Sequence, residues 1–182
     1  MIIQQQLFPF PQPPKQFIHF TSHLYLFHTM QISGKVLLKK GSVFMKNIET
    51  EILSPAGDFS ALKAAVRFGA DAVYMGFERF GARVSAGNSL EDIREVVNYA
   101  HLFGVKVYVT LNTIIYNNEI DAARQTVRDL YQAGVDAIIV QDMAYLQMNE
   151  CNMTIHASTQ ANNFTKEKVK WFENAGIERV VL

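Results

Sequence analysis

From Glu51 onward the chain alternates between two hydrophobic periods. Short apolar, β-branched runs fall near 51–54, 72–75, 107–111, 137–140, 153–157 and 179–182, and each reads as a strand. Between them, apolar residues recur at spacings of three and four, which places them on one stripe of a helix. Leu62, Ala65 and Val66 form the first stripe, Leu90, Ile93, Val97 and Ala100 the second, and Ile120, Ala123, Val127 and Leu130 the third. Val169, Phe172 and Ala175 form the last, and a short piece around 144–148 joins the fourth strand to the fifth. The punctuation agrees with this pattern. Asp58 is placed to cap the first helix, Ser89 to Asp92 reads as a capping box, and Thr165 opens the last helix. Gly69, Gly104, Gly134 and Gly176 each end a helix, followed by a small apolar residue and then a charged one at the strand start.

Helices and strands that alternate this regularly imply a parallel α/β sheet. The strands read as continuous apolar runs, as strands buried on both faces do. Regular βα units close best as a (β/α)8 barrel of the TIM type, which needs about eight strands. The chain carries six and stops inside the sixth, so the expectation is a partial barrel, truncated at its C-terminal side. Its open sheet edges would then be covered by a complementary chain. A doubly wound sheet is the alternative, but no G-x-G-x-x-G follows the first strand.

Composition adds little at first sight. The chain has 182 residues, 49% of them apolar, with 17 basic and 17 acidic residues and a formal net charge of zero. Nothing global marks it as a nucleic-acid binder. Cys151 is the single cysteine, which rules out an internal disulfide and any multi-cysteine metal site within this chain. The neutrality hides an asymmetry. Residues 1–44 carry Lys15, Lys35, Lys39 and Lys40 and no acid, and every proline except Pro55 lies in the first fourteen positions. This segment lacks the arginines of a mitochondrial presequence and the unbroken apolar stretch of a secretory signal. His19, His23 and His28 lack the acidic or cysteine partners of a metal tract. We read residues 1–44 as a leader outside the working protein, Met45 as its native start, and 45–182 as the front of a catalytic barrel. No run is long enough to span a membrane, and a cytoplasmic setting is expected.

In parallel α/β barrels the chemistry sits in the loops after the strands, while the opposite face is structural. That rule sets Asp71, Lys106, Asp136 and Glu178 aside as solvated turn charges, and His101 as a partner for a helix C-terminus. The other end gathers Ser54 and Asp58, Arg79 and Arg83, Thr110, Asn112 and Thr113, Gln141 and Asp142, then His156, Ser158, Thr159, Gln160, Asn162 and Asn163. A Schiff base needs a lysine here and none is present. His156 and Asp142 make half of a metal site, so no metal is assigned. A direct Ser158–His156 nucleophile pair is not expected. His156 reads equally well as a core histidine bonded to backbone. Arg83, a planar and permanently charged fork in a glycine-rich loop, suits a carboxylate or phosphate. The candidate catalytic residues are therefore His156 and Asp142. The candidate substrate contacts are Asp58, Arg79, Arg83, Asn112, Ser158 and Gln160.

Six stretches carry a likeness to a known family: Glu51 to Asp58, Phe68 to Tyr74, Arg79 to Arg83, Val107 to Thr113, Ala137 to Asp142 and His156 to Gln160. In this order they resemble the N-terminal portion of the collagenase-like peptidases of unassigned catalytic type, peptidase family U32. The resemblance runs from about Met45 to Leu182 and takes in nothing of 1–44. It implies a barrel-like catalytic domain followed by further sequence, which in several relatives supplies the cysteines of an iron–sulfur cluster; this chain holds no cofactor site of its own. It implies proteolysis by family name. It also implies an alternative, since some members resemble enzymes that hydroxylate tRNA uridine, ribosomal RNA or ubiquinone precursors with prephenate as oxygen source. The substrate would then be a small carboxylate together with a peptide or an RNA. The loop at Ala86-Gly87-Asn88-Ser89 departs from the family by one residue. A third reading is a non-catalytic assembly partner.

Overall fold

The computed structural model describes residues 50–82 and 87–182. The expectations for residues 1–44, Met45 and Arg83 lie outside the described residues. Strands β1 (Leu53–Pro55), β2 (Ala72–Gly76), β3 (Lys106–Leu111), β4 (Ala137–Val140), β5 (Ile155–Ala157) and β6 (Arg179–Val180) form one parallel sheet in sequence order. The connecting helices are α1 (Phe59–Arg67), α2 (Leu90–Leu102), α3 (Ile120–Gln132), α4 (Ala144–Met148) and α5 (Lys166–Asn174). Sequential pairing and constant strand direction curl the sheet into an incomplete (β/α) barrel. Among the described residues no helix is long and apolar enough to cross a membrane.

Alternation along each strand divides the side chains between two layers. On β3, Val107, Val109 and Leu111 join the large core under the helices, together with Leu62, Ile93, Leu130 and Phe172. Tyr108 turns the other way, into the barrel interior, with Ala72, Ala137 and Ile139. The strand register carries this interior row onward: Thr110 stands beside Ile139, Ile139 beside His156, and His156 beside Arg179.

The helix ends follow the local sequence. Asp58 Oδ1 accepts the Ala61 N–H at 2.8 Å, Ser89 and Asp92 close a reciprocal capping box, and Thr165 caps α5 through Lys168 N–H. The four glycine turns all have φ between 69° and 87°, a region that L side chains avoid. Three strands, β1, β5 and β6, are shorter than their apolar runs. Before β5, Asn152 has φ 56° and the Asn149 side chain bonds both the N–H and the carbonyl of Met153, which takes this residue out of the ladder. β1 begins only at Leu53, and the Glu51 side chain ahead of it reaches buried Arg179.

The turn acids at the strand starts do more than meet solvent. Asp71 Oδ2 accepts the Ile52 N–H at 2.9 Å and Asp136 Oδ2 accepts the Val107 N–H at 2.7 Å. Each thus satisfies the first free N–H of the strand before its own, where the parallel ladder has not yet begun. His101 places Nε2 2.9 Å from the same Asp136 oxygen, so a carboxylate as well as a helix end faces it.

A candidate functional site at the strand C-termini

The described residues of the loop after β2, 77–82 and 87–89, are closely tied to one another. Phe77 and Asn88 form a parallel bridge at its base, with Glu78 N–H donating to Asn88 O and Asn88 N–H to Gly76 O, both at 3.0 Å. Phe80 holds φ 62°, a strained conformation for an aromatic residue. A Cβ on Gly81 would sit 2.7 Å from Phe77 O, and one on Gly87 would sit 2.5 Å from Glu78 Cα. Only glycine lets these backbones approach. The loop after β3 clasps this one: Asn112 Oδ1 accepts the Ala82 N–H at 3.0 Å and Thr113 Oγ1 donates to Phe80 O at 3.1 Å. The result presents Arg79 to solvent, with no ion pair among the described residues.

The acids and hydroxyls of the mouth are largely engaged with backbone. Asp142 accepts the Ile115 N–H at 3.0 Å through Oδ2 and the Ala144 N–H at 2.9 Å through Oδ1, joining the loops after β3 and β4. Ser158 is buried, and its Oγ accepts the Gln160 N–H at 3.2 Å as the cap of a single 3-10 turn. Asn163 donates to Ser158 O at 2.7 Å and to Val181 O at 2.6 Å, fastening the ends of β5 and β6 together. Gln160 is exposed at the same rim. Of the sequence-selected residues, Asp58, Asn112, Asp142 and Ser158 therefore frame the mouth, while Arg79 and Gln160 stand free to meet a ligand.

His156 lies elsewhere. It is 1% exposed in the barrel interior, its ring edge-on to Tyr108 with centroids 4.8 Å apart, and its Nε2 has no hydrogen-bond partner. Burial and the neighbouring Arg179 charge push its pKa down to about 3, so the ring is neutral at physiological pH. Ser158 lies beyond the end of the strand with its hydroxyl already capping a turn, so the two make no nucleophile–base pair.

An interior network was not foreseen from the sequence. Arg179, 5% exposed, meets Glu51 with two parallel contacts, Nη1 to Oε1 at 2.6 Å and Nη2 to Oε2 at 3.1 Å. The Tyr108 hydroxyl donates to the same carboxylate at 3.0 and 3.2 Å, and Lys106 Nζ stands 3.9 Å away. Burial disfavours the Glu51 carboxylate, yet the Arg179 hydrogen bonds and charge outweigh it, and the group is held below its ordinary pKa. Burial likewise pushes the Tyr108 hydroxyl up. The available signal was the alternation Lys106-x-Tyr108-x-Thr110, polar at every second position inside an apolar strand.

Among the described residues no three His, Cys, Asp or Glu side chains gather as metal ligands. An iron–sulfur cluster takes four thiolates or their imidazole substitutes; Cys151, half-buried against the core, does not fit such a group by itself. A hollow of about 350 Å³ lined by Asn149, Asn152, Thr154 and Glu178 opens at the strand starts, on the face opposite the mouth.

The model of peptidase family U32 matches residues 57–182. The chain is 48% identical over 132 residues to the 23S rRNA 5-hydroxycytidine C2501 synthase of Escherichia coli, covering 72% of this chain and 20% of that protein. It is 37% identical over 155 residues to tRNA hydroxylation protein P1 of Bacillus subtilis, covering 83% of this chain and 35% of that protein. The chain thus spans a fifth to about a third of the length of these relatives. A solved U32 peptidase superposes with a TM-score of 0.61 at 19% identity, over 79% of this chain and 60% of that one, which supports the barrel fold. A matching family model over most of the chain, close relatives and a shared fold together show that this chain belongs to peptidase family U32.

Proposed function

We propose that the chain forms the front of a catalytic barrel that hydroxylates a pyrimidine base in RNA, with the mouth holding the carboxylate of a small oxygen donor. The observation that carries this reading is the β2 loop. Glycine contacts, a strained Phe80 and two bonds from the β3 loop fix the backbone around Arg79, whose guanidinium has no ion-pair partner among the described residues. A planar fork held in this way suits a carboxylate better than a peptide backbone. Prephenate, the donor that the family resemblance implies, is such an acid. The cysteines of any iron–sulfur cluster would come from sequence outside this chain. The 48% identity to an rRNA hydroxycytidine synthase favours ribosomal RNA as the first target to examine. Proteolysis, which the family name implies, would need a nucleophile other than Ser158, whose hydroxyl caps a turn.

Deleting the gene that encodes the whole protein and measuring nucleosides by mass spectrometry tests the reading. The expected outcome is loss of a hydroxylated pyrimidine from the rRNA or tRNA fraction, restored by the wild-type gene. Unchanged nucleosides in both fractions, with gelatin cleavage that survives repurification of the full-length protein, would overturn it in favour of a peptidase.

A further inference from the structure

The interior ion-pair network leaves two buried polar atoms without partners. Arg179 directs Nη1 and Nη2 to Glu51, and its Nε, outside that contact, has none among the described residues. His156 Nε2 has none either. The fold brings these two side chains together. His156 and Arg179 are register partners on β5 and β6, so they leave neighbouring strands, about 4.8 Å apart, on the same face of the sheet. Both rest on one ring. Tyr108 lies edge-on to His156 at 4.8 Å between centroids, and the Arg179 guanidinium carbon stands 5.4 Å from the Tyr108 ring centre. His156 is 1% exposed and Arg179 5%, so bulk solvent completes neither group.

A buried donor or acceptor left bare forfeits its hydration with nothing in return, and folded proteins rarely carry one. Two of them on adjacent side chains point to a shared ligand. The groups around them set its chemistry. Arg179 Nε–H can only donate, so the ligand offers an acceptor oxygen. A neutral imidazole presents Nε2 as donor or acceptor according to its tautomer, and a water molecule can serve either. A cation would meet the Arg179 charge, with Lys106 also present 3.9 Å from Glu51. An anion would have to compete for Arg179 with Glu51, which already holds it by two contacts. Two hydrogen bonds through one oxygen span about 5–6 Å, a reach that suits paired residues on adjacent strands. We propose that a single buried water bridges Arg179 Nε and His156 Nε2. It accepts from Nε–H and bonds Nε2, as internal waters do when they complete buried polar groups. The bridge extends the network from Glu51, ahead of β1, through Arg179 to His156, two residues before Ser158 and the mouth. The imidazole is thereby held in one orientation beneath the mouth. This site is independent of the RNA reading above.

A crystal structure of the full-length protein, at a resolution that places waters, tests the site without any substitution. The expected result is one solvent peak within about 3.2 Å of both nitrogens. A map with no peak there, or with protein atoms bonded to Nε2 and Nε, overturns the proposal. So does an anomalous signal at the same spot after a bromide soak, which would make it an anion site. In solution, oxygen-17 relaxation dispersion of the water signal counts long-lived internal waters. His156→Phe keeps a flat ring without the nitrogens and should lower that count by about one. His156→Gln retains a side chain that bonds water and should keep the wild-type count. An unchanged count in His156→Phe removes the bridge. An equal loss in His156→Gln assigns the change to repacking around the ring and removes it as well.

Discussion

Two residues at opposite extremes of burial make opposite predictions. Arg79 is exposed, has no ion-pair partner among the described residues and sits in a backbone held by Asn112 and Thr113, so its guanidinium is pre-set for an anion. Arg79→Ala in the full-length protein should weaken prephenate binding in calorimetry by about 1–3 kcal/mol, the usual range for a charge-assisted hydrogen bond, with melting temperature unchanged. Equal affinity in the variant removes the carboxylate assignment. His156 is neutral in the fold because burial and Arg179 depress its pKa from 6.5 to about 3. A depressed pKa means that the unfolded chain binds the proton first. The stability His156 contributes is therefore complete above pH 6.5 and is lost as pH falls toward 3, in total on the order of a few kcal/mol. His156→Phe should flatten the urea-midpoint profile between pH 6.5 and 4.5, above the range in which Glu51 begins to protonate. A profile as steep as wild type would show that the ring is not desolvated. The sequence allowed His156 to be either a base at the mouth or a core histidine. The structure gives it the core position without the backbone bond, since the neighbours that bury it come from strands far away in the chain.

Among the elements, what the sequence made legible was whatever is decided within a few residues. Asp58, Ser89 and Thr165 cap the helices they precede, because a side-chain oxygen there reaches N–H groups of the first turn. Removing the Ser89 oxygen with Ser89→Ala should cost about 1 kcal/mol in urea unfolding, and an unchanged midpoint would mean that the capping box is redundant. The β2 loop was legible only in part. Its glycines were visible, but the reason for them was not: Gly81 and Gly87 clear the backbone of Phe77 and Glu78, a contact set by how the loop folds back on itself. Gly87→Ala puts a methyl 2.5 Å from Glu78 Cα, where no flexible side chain can yield. The loop must shift, so prephenate affinity should fall even though Arg79 is intact, and retained affinity would show that the loop is not the positioning device. The shortened start of β5 had the same cause on a smaller scale. Asn149 bonds Met153 across four residues, and an apolar run cannot report that its first member has been captured by a side chain.

For the whole molecule, the barrel class followed from alternation and uniform turns, but nothing local disclosed what sets the curvature of an incomplete sheet. Glu51 and Arg179 are 128 positions apart and flank opposite outer strands, yet they meet bidentately in the interior, with Tyr108 from β3 donating to the same carboxylate. An open sheet could keep these strands apart; the pair holds them at a fixed curl. A buried ion pair need not add net stability, because desolvation of both charges offsets the attraction, but breaking it leaves one charge stranded. Arg179→Met should therefore destabilise the protein by about 3 kcal/mol, with the Glu51 carboxylate left half-buried without its bidentate partner and held only by the Tyr108 hydroxyl and the more distant Lys106. Glu51→Met/Arg179→Met should recover most of that loss in urea unfolding, since no charge remains to be stranded. The two variants should differ in shape as well as stability. If the pair sets the curl, amide exchange at β1 and β6 should speed up in both, whereas a purely energetic role predicts normal exchange once the double variant has regained its midpoint. Equal losses in the single and double variants would show that packing around Tyr108, and not the charge pair, holds the outer strands together.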